Sequence, residues 1–222
     1  MPKIFRSNCP DADTFAQRIN RLISAREVRP VVTPSGHRAR GRFPSLKGQS
    51  TNFESLVEED AWRIFEIARS VHKVHTHPYV LELRADNPQG KRFAYTPDAV
   101  VTFARTAALV EVKGDWLLRL PKPRAKLART LRALRREEVP ILLMTESDIR
   151  PPGLQDELKA LLKIRPACTR LRKNIDTCAW DPTSRVMPNA ETLRRWRAAQ
   201  QECDALLDRV MRRDPDELFE AI

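Results

Sequence analysis

No run of apolar residues in this chain approaches the roughly 20 that a membrane-spanning helix requires. The polar start Met1-Pro2-Lys3-Ile4-Phe5-Arg6 lacks the apolar stretch of a secretory signal, so the expected location is the cytoplasm. Cysteine is scarce and scattered: Cys9, Cys168, Cys178 and Cys203 show no Cys-x-x-Cys spacing. That removes a zinc ribbon and a disulfide framework and leaves reduced structural thiols. Acid is missing from two long segments. Val28 to Phe53 contains none, but carries Arg29, Arg38, Arg40, Arg42 and Lys47, three of the chain's six glycines, and Pro30, Pro34 and Pro44. Trp116 to Arg136 contains eight basic residues and again no acid.

The formal net charge is +11 over 222 residues, with a pI near 10, which implies attraction to a polyanion. Charge alone would also suit a ribosomal or membrane-surface protein; beside a phosphodiester site, nucleic acid is the economical partner. The length suffices for one good domain plus a smaller one. Glycine and proline in residues 28–53 disfavour regular structure and favour an extended basic arm that follows a phosphate backbone, with a solvated basic loop as the alternative.

Hydrophobic periodicity orders the rest. A short amphipathic helix is expected from Ala12 to about Ala25, with Phe15, Ile19, Leu22 and Ile23 apolar. A second helix is announced by Thr51 and Glu54 in capping-box spacing, with Phe53, Leu56, Val57, Ile64, Ile67, Ala68 and Val71 as its apolar stripe. Glu54 and Glu58 both border that stripe, and periodicity does not choose between them. Three strands follow: His72 to Leu83, interrupted at Pro78; Arg92 to Phe103; and Ala107 to Lys113, the first two joined by the turn Asn87-Pro88-Gln89-Gly90. A basic helix from about Pro123 to Arg136 and a buried strand at Pro140–Met144 complete an order of helix, three strands, helix, strand. Such an order makes an α/β core with a mixed sheet. Beyond Ser147 the chain turns helical and charged. Helices are expected at Leu154–Ile164 and Ala190–Arg213, a basic stretch spans Arg165–Lys173, and the acidic tail Asp214–Glu220 suits a docking peptide or a frayed end.

The chemistry concentrates in Thr96-Pro97-Asp98 and Glu111-Val112-Lys113. Alternate residues of a strand share a face, so Glu111 and Lys113 stand roughly 6 to 7 Å apart on one side while Val110 and Val112 face the core. Two carboxylates and a lysine converging on a sheet edge can hold a hard divalent cation and stabilise charge on a phosphate that water attacks. His72, His75 and His77 form a second cluster. With no further ligands at matching spacing, it reads as a polar strand face or a DNA-backbone contact rather than a metal site.

Pro97-Asp98 and Glu111-x-Lys113, following a glutamate-bearing helix, resemble the PD-(D/E)xK nuclease superfamily. Phe53-Glu54-Ser55-Leu56-Val57-Glu58, His77-Pro78, Tyr95-Thr96-Pro97-Asp98, Glu111-Val112-Lys113 and Leu143-Met144-Thr145-Glu146-Ser147-Asp148-Ile149-Arg150 together resemble the TnsA endonuclease subunit of heteromeric transposases, over roughly residues 42–150. The resemblance implies a restriction-endonuclease-like αβββαβ core at residues 53–150, preceded by a helix and basic arm (1–52) and followed by a small helical region (151–222) for partner or DNA contact. It selects Glu58 over Glu54. This chain departs from the family by having His77 where glutamine is common, and by keeping an acid at Glu111 where glutamine also occurs.

What the resemblance implies chemically is a Mg²⁺ (or Mn²⁺) site. Asp98 and Glu111 would be direct ligands, the Val112 carbonyl would complete the shell, and Glu58 would join directly or through water. Lys113 would orient or deprotonate the attacking water, or stabilise the pentavalent phosphate. Burial near the cation would lower its pKa and ease proton abstraction. DNA would be held by Arg38, Arg40, Arg42 and Lys47 of the arm, and by Lys122, Arg124, Lys126 and Arg129 of the basic helix, contacts that position a backbone without reading sequence. The implied activity is cutting of the 5′-end strand at transposon ends, beside a DDE-type transposase subunit and an AAA+ ATPase. A stand-alone repair or restriction nuclease and a catalytically silent DNA-binding scaffold are the alternatives.

Overall fold

A computed structural model describes residues 10–28, 39–48, 51–85, 90–164 and 189–214. Its centre is a four-stranded mixed sheet in the order β3 (Val71–Thr76), β6 (Ala99–Phe103), β7 (Ala107–Lys113) and β8 (Ile141–Thr145). The β3–β6 and β6–β7 pairs are antiparallel, and β7–β8 is parallel. β7 is buried along its whole length except at Lys113, which is why it is an unbroken run of alanine, leucine and valine with one acid.

The two long strands expected around Pro78 and Pro97 each divide in two. β3 stops at Thr76 and β4 (Leu81–Arg84) starts beyond Pro78; β5 (Arg92–Tyr95) stops before Pro97 and β6 starts after Asp98. Proline cannot donate to a ladder, so each strand leaves the sheet there. His77, just before Pro78, turns in the left-handed region at φ 46°. The detached β4–β5 hairpin folds over one face of the sheet. There Leu81, Leu83 and Tyr95 join Leu109 and Ala107 of β7, together with Phe15, Ile19 and Leu22 of α1 (Ala12–Leu22) and Leu134 of α4 (Pro121–Arg136).

The opposite face packs on α2 (Leu56–Ile67). Val101, Val110, Val112 and Met144 meet Ala61, Ile64, Phe65 and Ile67, and Trp62 stacks on Phe65 at 5.6 Å between ring centres. The cap of α2 differs from expectation. Ser55, not Thr51, accepts the Glu58 amide hydrogen at 3.2 Å, because Thr51 belongs to a strand, β2 (Thr51–Phe53), and its hydroxyl bonds the Phe43 carbonyl. Leu56 of the expected apolar stripe is 54 % exposed.

Two expected boundaries do not coincide with gaps in the packing. α6 (Leu154–Ile164) and α7 (Ala190–Arg212) supply Leu158, Leu161, Trp196, Cys203 and Leu207 to the same cluster as α2 and the sheet. The arm is partly folded as well. β1 (Gly41–Phe43) pairs antiparallel with β2, burying Phe43 and Phe53 in that core. A Cβ at Gly41 would lie 2.6 Å from the Phe53 ring, so the glycine lets that ring lie over β1 without shifting. α3 (Asp115–Arg119) and α5 (Glu146–Ile149) are short helices that follow β7 and β8 directly. Among the described residues no helix is long and apolar enough to cross a membrane.

Candidate functional site

Asp98, Glu111 and Lys113 meet where β6 begins and β7 ends. The Asp98 amide donates to the Val110 carbonyl at 3.1 Å, fixing the residue against β7, and the Val112 amide returns a 2.7 Å bond to Asp98 Oδ2. Glu111 and Lys113 share a face, as strand alternation predicts, and bond directly: Lys113 Nζ lies 2.6 Å from Glu111 Oε1. The same ammonium donates to the Val112 carbonyl at 2.9 Å and stands 3.5 Å from Asp98 Oδ2. Two carboxylates and one peptide carbonyl therefore converge on a single positive charge.

That convergence tests the donor set. Asp98 Oδ2, Glu111 Oε1 and Val112 O are hard oxygens already aimed at one cation, with the ammonium standing in for a metal ion, and this is the chemistry magnesium or manganese prefers. Glu58 contributes from further off. Its carboxylate accepts the Glu54 amide at 2.8 Å and the Ser55 hydroxyl at 3.0 Å, while its charge acts on both Lys113 and Asp98. Among the described residues no three His, Cys, Asp or Glu side chains form a metal-holding group. The set in place is thus two acids and a carbonyl, with Glu58 as an outer charge.

Burial pushes all three carboxyls up. For Glu111 desolvation is reinforced by the Asp98 charge, and for Asp98 the Lys113 ammonium opposes desolvation without cancelling it. Burial works the other way on Lys113, but the combined pull of Asp98, Glu111 and Glu58 outweighs it and raises the amine above its ordinary value. These carboxylates thus favour the ammonium form of Lys113. Tyr95 is a site residue that strand-face reasoning missed. Its buried hydroxyl donates to Glu111 Oε2 at 2.7 Å, so each Glu111 oxygen has a fixed partner. Periodicity contains no signal for it, since Tyr95 lies on the separate hairpin; its place three residues before Asp98 was the available hint.

The histidines do not form a cluster. His72 and His75 are exposed along β3, whereas His77 lies beyond the strand end, its amide bonded to the Asp98 carbonyl at 2.9 Å. Among the expected DNA contacts, Arg38 lies outside the described residues. Arg42, Lys122 and Lys126 are exposed, and Arg40 and Arg124 are half-buried. Two are turned inward. Lys47 Nζ bonds the Phe65 carbonyl at 3.0 Å and the Ala68 carbonyl, closing the C-terminal end of α2. The Arg129 guanidinium sits 4.1 Å over the Phe93 ring. Cys203 is a free thiol buried in the core, while Cys9, Cys168 and Cys178, with residues 165–173 and 215–220, lie outside the described residues. An open groove of about 840 Å³ lies at the far end of β8, lined by Arg135, Pro140, Ile141 and Arg213, and includes none of the site residues. No family model and no curated protein matches this chain.

Proposed function

We propose that this protein is a metal-dependent DNA endonuclease of the PD-(D/E)xK type, resembling the TnsA subunit that cuts the 5′-end strand at transposon ends. The observation that carries the reading is the convergence of Asp98 Oδ2, Glu111 Oε1 and Val112 O on the Lys113 ammonium at the ends of adjacent strands. The element order supports it: α2, β3, β6, β7, α4, β8, with the sheet running antiparallel, antiparallel, parallel, is the succession expected of a restriction-endonuclease-like αβββαβ core into which a hairpin has been inserted.

In this reading Asp98, Glu111 and the Val112 carbonyl hold a magnesium or manganese ion, which when bound neutralises the scissile phosphate and acidifies a water. The Val112 amide and the Tyr95 hydroxyl fix the two carboxylates before substrate arrives. Lys113, two residues from Glu111 on the same strand face, stabilises charge on the phosphate or orients or deprotonates the attacking water. Glu58 orients from the first turn of α2. Exposed Arg42, Lys122 and Lys126 hold the duplex without reading sequence. Delivery to the cut site falls to a DDE-type transposase subunit and an AAA+ ATPase, with the complex acting in the cytoplasm on the nucleoid.

The test is substitution in the reconstituted complex. Asp98→Ala and Lys113→Ala should abolish 5′-strand cleavage while DNA affinity stays within a few fold, and full cleavage by Asp98→Ala would end the reading. Robust cutting by the purified chain alone would move it to a stand-alone repair or restriction nuclease.

A further inference from the structure

Trp116 is 59 % exposed, more than any other large hydrophobic side chain among the described residues. An exposed indole is costly in apolar surface, and this one stands beside the site. It lies on α3, three residues after Lys113, with its pyrrole edge against Gly114: a Cβ at that glycine would lie 3.0 Å from Trp116 Nε1 and 3.1 Å from Cδ1. The absence of a side chain at 114 is what lets the ring approach the backbone next to Lys113. Exposed Arg119 lies one turn further along α3, and exposed Lys122 and Lys126 follow on α4; the neighbouring acids are engaged, Asp115 with the Ser147 hydroxyl and Glu146 with Arg150.

We infer that Trp116 is a stacking platform for an unpaired base next to the scissile phosphate, so that the preferred substrate is duplex DNA with a locally unpaired base at that point. The inference rests on the nuclease reading for the position of the phosphate. A base inside a duplex has both faces covered by its neighbours, and only an extruded or terminal base offers a free face to an indole. Exposed cations such as Arg119 hold backbone irrespective of sequence, so the indole adds a preference for structure rather than for a base.

The full chain and its Trp116→Ala and Trp116→Phe variants are titrated, in EDTA, with a duplex carrying 2-aminopurine as a single-base bulge and with the same duplex fully paired. The wild type should bind the bulged duplex more tightly and change the fluorescence of the analogue. Trp116→Ala should lose about tenfold in affinity for the bulged duplex and under about twofold for the paired one, with Trp116→Phe recovering most of the loss. Equal losses on both duplexes, no loss, or no wild-type preference would overturn the inference, the first of these pointing to a general contact. Thermal unfolding of Trp116→Ala should match the wild type, because an exposed ring supports little of the core. Cleavage of the same duplexes in Mg²⁺, by the reconstituted complex and by the chain alone, reads the other question: stacking with no cutting in either setting would reject the nuclease and keep the platform, and cutting without a bulge preference would do the reverse.

Discussion

The two acid-free segments, residues 28–53 and 116–136, look alike in the sequence, but their described residues differ in what they place in the core. In the first, β1 and β2 lay Phe43 and Phe53 into the core and Lys47 closes the end of α2. In the second, α4 buries Leu127, Leu131 and Leu134 on one side and leaves Lys122 and Lys126 outside. A run of basic residues is thus no measure of how many are available to a phosphate backbone. What decides is whether carbonyls or aromatic rings lie within reach of the side chain. Lys47 has two helix-end carbonyls beside it, and Arg129 has Phe93.

The sharpest way to separate the segments is stability. Phe53→Ala removes a buried ring and should cost about 3–5 kcal/mol in urea unfolding. If the loss is under about 1 kcal/mol, residues 51–53 do not belong to the core and the first segment behaves as a loose arm. Arg213, another cation that sequence would leave at the surface, donates to both Asp148 oxygens at 2.9 and 2.7 Å and to the Leu143 carbonyl at 2.8 Å. Arg213→Ala should cost about 1.5–3 kcal/mol near neutral pH. Its bonds, with those from Thr145, overcome desolvation and hold the Asp148 carboxyl below its ordinary value. The stabilisation from this pair is therefore present above the unfolded-state value and is lost as pH falls through the lower folded-state value, so wild type and Arg213→Ala should converge in stability on acidification. Convergence on raising the pH instead would show that the Asp148 shift has the opposite sign.

A smaller effect is expected from Lys47→Met, which keeps the apolar stem and removes the bonds to Phe65 and Ala68: about 1–2 kcal/mol of stability, with DNA affinity unchanged. Loss of affinity without loss of stability would return Lys47 to the DNA surface. The smallest change in folding should come from the double substitution Lys122→Ala and Lys126→Ala, within about 0.5 kcal/mol of wild type. The slope of log affinity against log salt should nevertheless fall by about two if each lysine neutralises one phosphate. An unchanged slope would leave the second segment as no more than a solvated helix face.

Legibility along the chain followed the range of the interactions. Leu154–Ile164 and Ala107–Lys113 appear with the bounds their apolar patterns suggest, because a helix period and an apolar strand run are local properties. The helix cap was misplaced by four residues, since Thr51 and Ser55 both stand three before a glutamate and only strand pairing with Gly41–Phe43 takes Thr51 out of contention. The prolines at 78 and 97 and the hairpin between them are legible in the sequence, but its detachment from the main sheet is not. Leaving a sheet is a local event, while the face on which the departing strands land depends on Leu109 and α1, far along the chain. The site divides in the same manner. Glu111 and Lys113 share a face by alternation alone, whereas Tyr95 reaches Glu111 only through the hairpin.

The sequence by itself determined the alternation that puts an acid and a lysine side by side on β7, the apolar runs that bury that strand, and the excess of positive charge. The tertiary structure decided that Asp98 Oδ2 and the Val112 carbonyl join Glu111 around one ammonium, that the same carboxylates raise the pKa of Lys113, and that Lys47 and Arg213 face inward. The physical reason is reach. Periodicity acts over a few residues, but a buried charge takes whatever partners the packed chain brings within about 3 Å, and those come from segments that no local pattern connects.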